Sequence, residues 1–317
     1  MPERRQRKIR LAAQTAPPRS RLNPSLRADL HIHTTASDSR WSPKQVVEGC
    51  RAAGIRLFAV ADHDTVAAVP VAEALAREAG LAFLRAVEVS TTAPDGVMAH
   101  VLGYGIDPRD PVLHGLLAEN TAKLEAADDA DIRALIALGY PIDYAAYLAY
   151  DYDRSRGGFK ALNYCIDLGL CADAFDYFGN IRSRLDQRWP EFVRPREAIT
   201  VIRNAGGIAV LAHPGATLKD VGGVTDTTLA PYLEDGIGGL ECYSQYHDVT
   251  TTRFCVDWCD RHDLLITGGS DYHGGFVGRQ LGVPVIDTSQ LRLGRLEEAI
   301  SSQQSALGEE QAPANAP

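Results

Sequence analysis

Two histidines separated by a single residue, His31 and His33, close the first strongly apolar run of the sequence. Side chains alternate between the faces of a β-strand, so Asp29, His31 and His33 are expected on one face with the imidazoles converging. Imidazole is the commonest metal ligand among protein side chains. The pair is therefore a candidate for binding a metal ion, although a lone His-X-His is weak evidence and by itself favours a merely structural pair.

Further histidines and carboxylates occupy matching positions along the chain. Six of the nine histidines lie at or beside the ends of predicted strands, together with three acids. Parallel strands of a barrel bring their carboxyl ends to one mouth, so these groups would converge there. Crowded imidazoles and carboxylates are stable when cations neutralise them. The sequence therefore predicts a metal centre that contains His31, His33, Asp38, His63, Glu88, His100, His213, Asp271 and His273.

The elements that must position these residues repeat the order strand, polar cluster, helix. Near-continuous apolar runs predict strands buried on both faces of a parallel sheet. They cover residues 28–33, 57–62, 83–89, 99–105, 208–213, 239–243 and 264–268. Between the first two, Ser42-Pro43-Lys44-Gln45 predicts a helix that starts with a capping box, and Gly54 marks its end. Seven β/α repeats favour a barrel, although the number of strands alone does not exclude an open sheet.

The predicted barrel covers residues 28–109 and 196–300 and is interrupted by a helical insertion of residues 110–195. The insertion has helical patterns and tyrosine-rich connections but no convincing strand. Residues 1–27 are predicted to be a disordered basic tail with a net charge of +7, and residues 301–317 a loose tail. The basic tail fits contact with RNA or an acidic membrane surface, a transit peptide, or the reading we favour, a leader without a dedicated role.

Composition excludes several classes of protein. The 317 residues are 45% hydrophobic and 23% charged, and no stretch approaches the roughly 20 apolar residues of a membrane span. The net charge of −9 leaves −16 outside the basic tail, which disfavours binding to duplex nucleic acid. Six scattered cysteines without a CxxC pair argue against a zinc ribbon or a disulfide framework. We therefore expect a cytoplasmic protein without a secretory signal, a membrane association or an obligatory protein partner.

The spaced set HxHxxxxD, DHD, a glutamate, two isolated histidines and a final DxH resembles the motifs of the PHP family, named after polymerases and histidinol phosphatases. The resemblance covers residues 28–105 and 200–285. It implies a distorted seven-stranded β/α barrel that holds two or three divalent ions (Mn, Fe or Zn). By this resemblance one ion is held by His31, His33, Glu88 and Asp271. Glu88 bridges to a second ion held by His100 and His213, and a third is held by Asp38, His63 and His273.

Within this family, the helical insertion before the AHPG motif at residues 212–215 resembles one particular branch. Its members remove phosphate from 3′,5′-bisphosphorylated nucleotides or degrade short RNA from the 5′ end. The segment GGFK at residues 157–160 stands where that branch usually carries Arg and His, a departure that bears on the substrate. Bound cations of this kind lower the pKa of water towards neutrality and neutralise phosphate oxygens.

We therefore predict a metal-dependent phosphatase or phosphodiesterase that hydrolyses phosphate monoesters of a small metabolite by metal-activated hydroxide. The favoured substrate is a nucleotide or a 3′,5′-bisphosphonucleotide. Three alternatives stay open, namely a 5′-to-3′ exoribonuclease acting on short RNA, a histidinol-phosphate-type phosphatase, and a metal-binding regulatory module without turnover.

Residues beside the motifs are candidates for supporting roles. Asp29 and Asp64 are predicted to accept hydrogen bonds that orient histidine ligands. His247 follows the sixth predicted strand and would donate a proton to the substrate or leaving group, or belong to the ordinary surface.

Other basic and aromatic residues are candidates for substrate binding. Arg279 is a candidate to grip a second phosphate of the substrate, although a solvated loop position is the favoured explanation of it, and Arg194 and Lys160 are weaker candidates of the same kind. The insertion is expected to select the substrate as a lid. Its tyrosines are candidates for stacking on a base, although packing of a small helical core explains most of them individually.

Overall fold

The computed structural model describes residues 22, 25–185, 189–301 and 303. The strands are β1 (Arg27–Ile32), β2 (Ile55–Val60), β3 (Ala82–Thr92), β4 (Met98–Tyr104), β5 (Ile208–Leu211), β6 (Gly239–Ser244), β7 (Leu265–Gly269) and β8 (Ile286–Asp287). The α-helices are α1 (Pro43–Ala52), α2 (Val69–Glu78), α3 (Pro111–Ala137), α4 (Tyr144–Ala149), α5 (Lys160–Asp167), α6 (Ala174–Asp176), α7 (Pro195–Asn204), α8 (Pro214–Thr217), α9 (Asp226–Glu234) and α10 (Val249–His262). Within these ranges, no helix combines the length and the apolar character needed to cross a membrane.

The strands form one sheet in the order β7-β6-β5-β4-β3-β2-β1-β8, which curls into a nearly closed barrel. At the seam between β1 and the chain after β7, the backbone N–H of His33 donates to the carbonyl of Tyr272 at 2.9 Å. Gly269 permits this approach, because a Cβ there would lie 2.4 Å from the Cβ of His31. The predicted α/β barrel is therefore confirmed, and the two-residue strand β8 pairs antiparallel with β1 beside the seven predicted strands.

Strand β4 runs antiparallel to both of its neighbours, β3 and β5. The prediction of a parallel sheet is wrong at this strand, because an apolar run reports burial and not direction. The reversal matters for the site. It places the amino end of β4, where His100 pairs with Ser90, level with the carboxyl end of β3. His100 thereby reaches the same mouth as residues that follow the other strands.

Apolar side chains pack on both faces of the sheet. Along β2, Phe58 joins the cluster that includes residues of α1, α2, α7 and α10, whereas its neighbour Leu57 joins the cluster on the opposite face. Helix α1 begins as predicted, because the hydroxyl of Ser42 accepts from the backbone N–H of Gln45 and completes the capping box. These layers hold the strand ends, and therefore the mouth, in place.

Helices α3 to α6 and their connections make up the predicted insertion. Because it follows the carboxyl end of the reversed strand β4, α3 starts at the end of the barrel opposite the mouth. Its 27 residues span about 40 Å. The side chain of Asn120 on this helix donates to Asp64 at the mouth, at 2.8 Å. The insertion also has its own apolar core, to which Ile132 and Leu135 of α3 belong. The domain boundaries at residues 110 and 195 stay predictions.

The predicted tails lie almost entirely outside the described residues. Of residues 1–27, Arg27 opens β1 and its guanidinium donates to the carbonyl of Ala53 at 2.8 Å. Of residues 301–317, the side chain of Gln303 accepts from the backbone N–H of Phe83 at 3.0 Å.

Candidate metal centre

The nine predicted ligand residues lie together at one mouth of the barrel. His31 and Glu88 are within β1 and β3, and His100 lies near the start of the reversed strand β4. The others occupy the segments that follow β1, β2, β5 and β7, and they are His33, Asp38, His63, His213, Asp271 and His273.

Glu88 stands at the centre of this group and is completely buried. Its Oε2 atom lies within 3.3 Å of a ring nitrogen of three histidines, His31, His33 and His63. Its Oε1 atom lies within 3.2 Å of a ring nitrogen of two more, His100 and His213. A carboxylate whose two oxygens face different imidazoles is placed to contact more than one cation.

Three sets of side chains converge closely enough to share an ion, with ligand atoms within 4.8 Å of one another in each set. The first set is His31, His33, Glu88 and Asp271, the second is His63, Glu88 and His100, and the third is His33, Asp38, His63 and His273. The sets overlap at His33, His63 and Glu88, so the structure gathers the predicted residues into one continuous centre. His213 adjoins it through Glu88.

Two buried atoms in this centre have no hydrogen-bond partner among the described residues, Nδ1 of His33 and Oδ1 of Asp271. Buried polar atoms left unsatisfied are costly, and a bound ion is a common reason for them. Imidazole and carboxylate together suit divalent cations such as zinc, iron and manganese. The residues present therefore fit a divalent metal centre.

Burial and mutual attraction shift the pKa values of these groups in different directions. Burial lowers the pKa of His63 to about 3. Burial also disfavours the charged form of His33, but attraction to the carboxylates of Asp271 and Glu88 outweighs it and raises the pKa to about 9. Burial opposes ionisation of Glu88, yet the neighbouring histidines, His31 first, hold its pKa well below the usual range. The carboxylates are thus negative and ready to bind cations, and cation binding at His33 would displace a proton.

Glu241 in β6, which was not among the predicted residues, holds two of the histidines in place. Its Oε1 atom lies 3.0 Å from Nδ1 of His31, and its Oε2 atom accepts from the backbone N–H of His213 at 2.7 Å. A carboxylate on the distal ring nitrogen fixes the tautomer and orientation of a histidine ligand. The signal that could have revealed Glu241 is a single acid inside the apolar run of residues 239–243.

A second unpredicted carboxylate, Asp62, shapes the loop that carries Asp38. Its oxygens accept from the backbone N–H of Thr34 at 2.7 Å and from the hydroxyl of Ser37 at 2.6 Å. The same loop meets the insertion, because the backbone N–H of Gly158 donates to the carbonyl of Asp38 at 2.7 Å. The insertion therefore touches the rim of the centre directly.

Asp29 and Asp64 are buried, but neither hydrogen-bonds to an imidazole ring within the described residues. Asp29 accepts from the backbone N–H groups of Ser270 and Gly282, both at 2.9 Å. Asp64 accepts from the backbone N–H and the hydroxyl of Ser90, at 3.0 and 2.6 Å. Neither carboxylate therefore fixes a histidine through its ring, although Asp29 also accepts from the backbone N–H of His31 at 3.4 Å, so their orienting role stays a prediction. They tie together the segments that carry the centre, because strand ends leave backbone donors that need acceptors.

Backbone strain also marks the mouth. His213 and Asp271 have positive φ angles of 27° and 50°, a region that residues with a Cβ rarely adopt. Such conformations persist where surrounding contacts hold them, and they cluster at functional sites. Here the hydrogen bond from His213 to Glu241 and the ion pair of Asp271 with Arg279, at 2.7 Å, supply those contacts.

Comparisons with known proteins agree with this geometry, although no protein-family profile matches the chain. Three curated relatives are each 30% identical to it. They are a phosphoribosyl 1,2-cyclic phosphate 1,2-diphosphodiesterase from Eggerthella lenta (78% of this chain, 94% of the relative), a 3′,5′-nucleoside bisphosphate phosphatase from Chromobacterium violaceum (80% and 90%) and a 5′-3′ exoribonuclease from Haemophilus influenzae (77% and 89%).

A solved structure from Bifidobacterium adolescentis, described as that of a predicted metal-dependent phosphoesterase, is similar over 87% of this chain and 96% of its own length. Its TM-score is 0.72 and its sequence identity 26%. The chain belongs to the PHP family. This PHP protein is a metal-dependent phosphoesterase, which confirms the predicted class of enzyme. The hydrolase activities of its relatives set aside the alternative of a regulatory module without turnover.

In this PHP barrel, His247 does not take the predicted position of a proton donor. Its Nδ1 donates to the carbonyl of Cys242 at 2.9 Å, and its Nε2 accepts from the backbone N–H of Gly215 at 2.9 Å. Burial lowers the pKa of His247, which favours this neutral form. Because both ring nitrogens serve the backbone, the arrangement contradicts the proton-donor role and makes His247 a brace for the segment after His213.

Of the three cations predicted to bind phosphate, only Arg279 contacts the metal centre. Its Nη1 lies 2.7 Å from Oδ2 of Asp271. The guanidinium of Arg194 donates to the carbonyls of Thr92 and Ala93, where the insertion returns to the barrel. Lys160 donates to the carbonyl of Leu148 inside the insertion. The structure thus brings Arg279 to the mouth and gives Arg194 and Lys160 structural partners.

The tyrosines of the insertion pack against one another. Tyr147, Tyr164 and Tyr177 are buried in its core, and the rings of Tyr147 and Tyr164 meet edge to face with centroids 5.4 Å apart. The alternative that they build a small helical core is therefore confirmed for these residues, and they are not available to stack on a substrate base.

Proposed function

We propose that this PHP phosphoesterase removes phosphate from a nucleotide, with 3′,5′-bisphosphonucleotides as the preferred class. The observation that supports it is the Glu88-centred group of imidazoles and carboxylates beside Arg279 at the mouth. The Chromobacterium violaceum relative, named as a nucleoside bisphosphate phosphatase, favours this substrate class. The six cysteines are free and buried, which supports action in a reducing compartment such as the cytoplasm.

The proposed centre holds two or three divalent ions, drawn from manganese, iron and zinc. The proposed ligands of the first are His31, His33, Glu88 and Asp271, of the second Glu88, His100 and His213, and of the third Asp38, His63 and His273. His63 also lies close enough to Glu88 and His100 to share an ion with them. Bound ions supply an activated water and neutralise charge on the phosphate in the transition state.

Arg279 is the residue of this chain that we propose to bind and orient the phosphate. Its Nη1 is engaged by Asp271, and its guanidinium lies over the ring of Tyr246, 5.2 Å from the centroid. The hydroxyl of Tyr246 donates to Oδ2 of Asp271 at 3.1 Å. Arg279 is thereby held in one orientation, and a guanidinium can still use its remaining N–H groups to contact a phosphate oxygen.

The experiment is a phosphate-release screen with protein reconstituted separately with Mn, Fe and Zn. The substrates are adenosine 3′,5′-bisphosphate, adenosine monophosphates, a 5′-phosphorylated short RNA, a ribose 1,2-cyclic phosphate and histidinol phosphate. We expect the highest kcat/KM with the bisphosphate. We expect Arg279→Ala to raise its KM about tenfold or more, because a charge-assisted contact is lost.

A higher kcat/KM with the cyclic phosphate or with histidinol phosphate would contradict the proposed substrate. A preference for short RNA over every mononucleotide would instead favour the exoribonuclease, the activity named for the Haemophilus influenzae relative. The matched control is Arg109→Ala, since the exposed guanidinium of Arg109 pairs with Asp107 far from the mouth. This control should leave all rates unchanged.

A further inference from the structure

Three large aromatic side chains are exposed on the insertion. Phe175 is 65% exposed, Trp189 is 43% exposed and Phe178 is 39% exposed. Single exposed apolar residues are ordinary, but these are neighbours in sequence or in space, and the ring centroids of Phe178 and Trp189 lie 6.3 Å apart. We refer to Phe175, Phe178 and Trp189 as the aromatic platform.

Buried groups hold the aromatic platform in place from below. Phe178 packs against Phe159 and the buried Tyr177, with centroids 5.9 and 5.5 Å away. The guanidinium of Arg182 lies 4.0 Å from the ring centroid of Trp189 and is fixed by an ion pair of 2.8 Å with Asp131. Rings held in this way need little further ordering when a flat ligand stacks on them.

The aromatic platform adjoins the rim of the metal centre. A Cβ placed on Gly278 would lie 4.0 Å from the ring of Phe175, and the next residue is Arg279 at the mouth. Phe276 lies in the same loop, and its ring would be about 3 Å from a Cβ placed on Gly157 or Gly158 in the insertion. The ring of Phe175 therefore lies beside the loop that carries Arg279, and it links the aromatic platform to the rim of the mouth.

The chemistry of this surface suits flat uncharged rings better than phosphates. Asp173 and Asp176 flank Phe175, and they accept backbone N–H groups at 2.9 and 2.7 Å while adding negative charge. Nucleobases stack on Phe and Trp regardless of sequence, and each stacked base contributes measurably to the binding of single strands. A nucleobase one or two positions beyond the reacting phosphate is the occupant that combines a flat face with a link to the mouth.

We propose that the aromatic platform is a stacking subsite for the nucleotides that follow the reacting one in a short single-stranded oligonucleotide. The proposal rests on the proposed function, because the substrate must place a nucleotide phosphate at the metal centre. A mononucleotide ends before this subsite, so the platform distinguishes oligonucleotides from mononucleotides. The tyrosines of the insertion core take no part in it.

The test compares two substrates of the metal-loaded protein, adenosine 3′,5′-bisphosphate and a 5′-phosphorylated trinucleotide. Phe175→Ala and Trp189→Ala should each lower kcat/KM for the trinucleotide about five- to a hundredfold and leave the bisphosphate within about twofold. The matched control is Leu148→Ala, which removes an apolar side chain of similar exposure (57%) from α4 of the same insertion. It should leave both substrates unchanged.

A binding measurement separates stacking from turnover. A trinucleotide whose internucleotide linkages are hydrolysis-resistant phosphorothioates should quench the fluorescence of Trp189, which is exposed, whereas Trp258 is buried. The half-buried Trp41 also contributes to the emission, so the measurement is made in a Trp41→Phe background. Trp189→Ala should abolish the quenching, and Phe175→Ala should weaken the binding about fivefold or more.

The outcomes distinguish this proposal from the proposed function. Hydrolysis of neither substrate by the metal-loaded parent would overturn the proposed function. Hydrolysis of the bisphosphate alone, or of both substrates with equal losses or no losses in the platform variants, would overturn the aromatic platform alone. A parent that is dimeric in light scattering and becomes monomeric in Phe175→Ala would show that a second copy of the chain covers this surface, and would also overturn it.

Discussion

The barrel mouth and the helical insertion both bury ionisable side chains, but in opposite ways. In the mouth, Glu88 has no exposure and faces five imidazoles, and the pKa of this carboxyl is held low despite burial. In the insertion, burial raises the pKa of Asp128 to about 7, and a hydrogen bond from the backbone N–H of Ala161 does not compensate. The mouth is organised around charge that a cation would balance, whereas the insertion is organised by packing. Changes in the mouth should alter metal content, and changes in the insertion should alter stability or substrate choice.

The largest effect is expected from Glu88→Gln. Both Glu88 oxygens face ring nitrogens of different histidines, so the substitution removes negative charge from two proposed ion sites together. Losing several kcal/mol of transition-state stabilisation corresponds to a fall in kcat of roughly a thousandfold or more. Elemental analysis measures the expected loss of bound metal, and phosphate release measures the fall in kcat.

The control for Glu88→Gln is Glu73→Gln, a surface carboxylate that pairs with Arg85 at 2.9 Å on the outside of the barrel. It should retain full metal content and turnover. Near-normal turnover in Glu88→Gln would show that the mouth does not depend on this carboxylate, and the contrast between the two regions would lose its main support.

A smaller effect, on metal affinity, is expected from Glu241→Gln, because Glu241 contacts histidine ligands and not the proposed ions. The carboxylate accepts from both His31 and His213, whereas the amide has a single acceptor oxygen and an NH2 group that cannot accept, so one hydrogen bond is lost. Removing the partner of a histidine ligand typically weakens metal binding about 10–100-fold. Competition with a chelator measures this affinity directly and does not depend on turnover.

Asp29→Asn is the matched variant, since Asp29 is equally buried but bonds backbone N–H groups and no imidazole ring within the described residues. It should lower the melting temperature while changing metal affinity by less than about threefold. An equal loss of metal affinity in the two variants would mean that loop position, and not histidine orientation, controls metal binding.

The same contrast explains how much of the molecule the sequence predicts. The nine residues of the mouth could be predicted because few side chains bind cations and because most of these residues lie at or near the ends of the predicted strands. The direction of β4 was not predictable, since an apolar run fits either direction. In the insertion, core packing was the explanation that the sequence favoured for most tyrosines individually, and the structure buries Tyr147 and Tyr177, but the exposure of Phe175 and Trp189 was not predicted. Packing of a helical core accepts many aromatic residues, so composition alone does not decide which ring faces solvent.

The smallest effect is expected from Asp128→Asn, which tests the insertion side of the comparison. Burial is the main cause of the raised pKa of Asp128, with Asp131 and Glu125 raising it further and Arg182 opposing them. The unfolded chain loses this proton near pH 4 and the folded protein near pH 7. The carboxyl therefore destabilises the fold increasingly as the pH rises from about 4 to about 7, and fully above that range. Asparagine still accepts from Ala161 through its amide oxygen but carries no charge. The variant should melt roughly 2–4 °C above the parent at pH 8 and within about 1 °C of it at pH 4, by calorimetry at both pH values. A change in metal content in this variant would show that the insertion and the mouth are coupled.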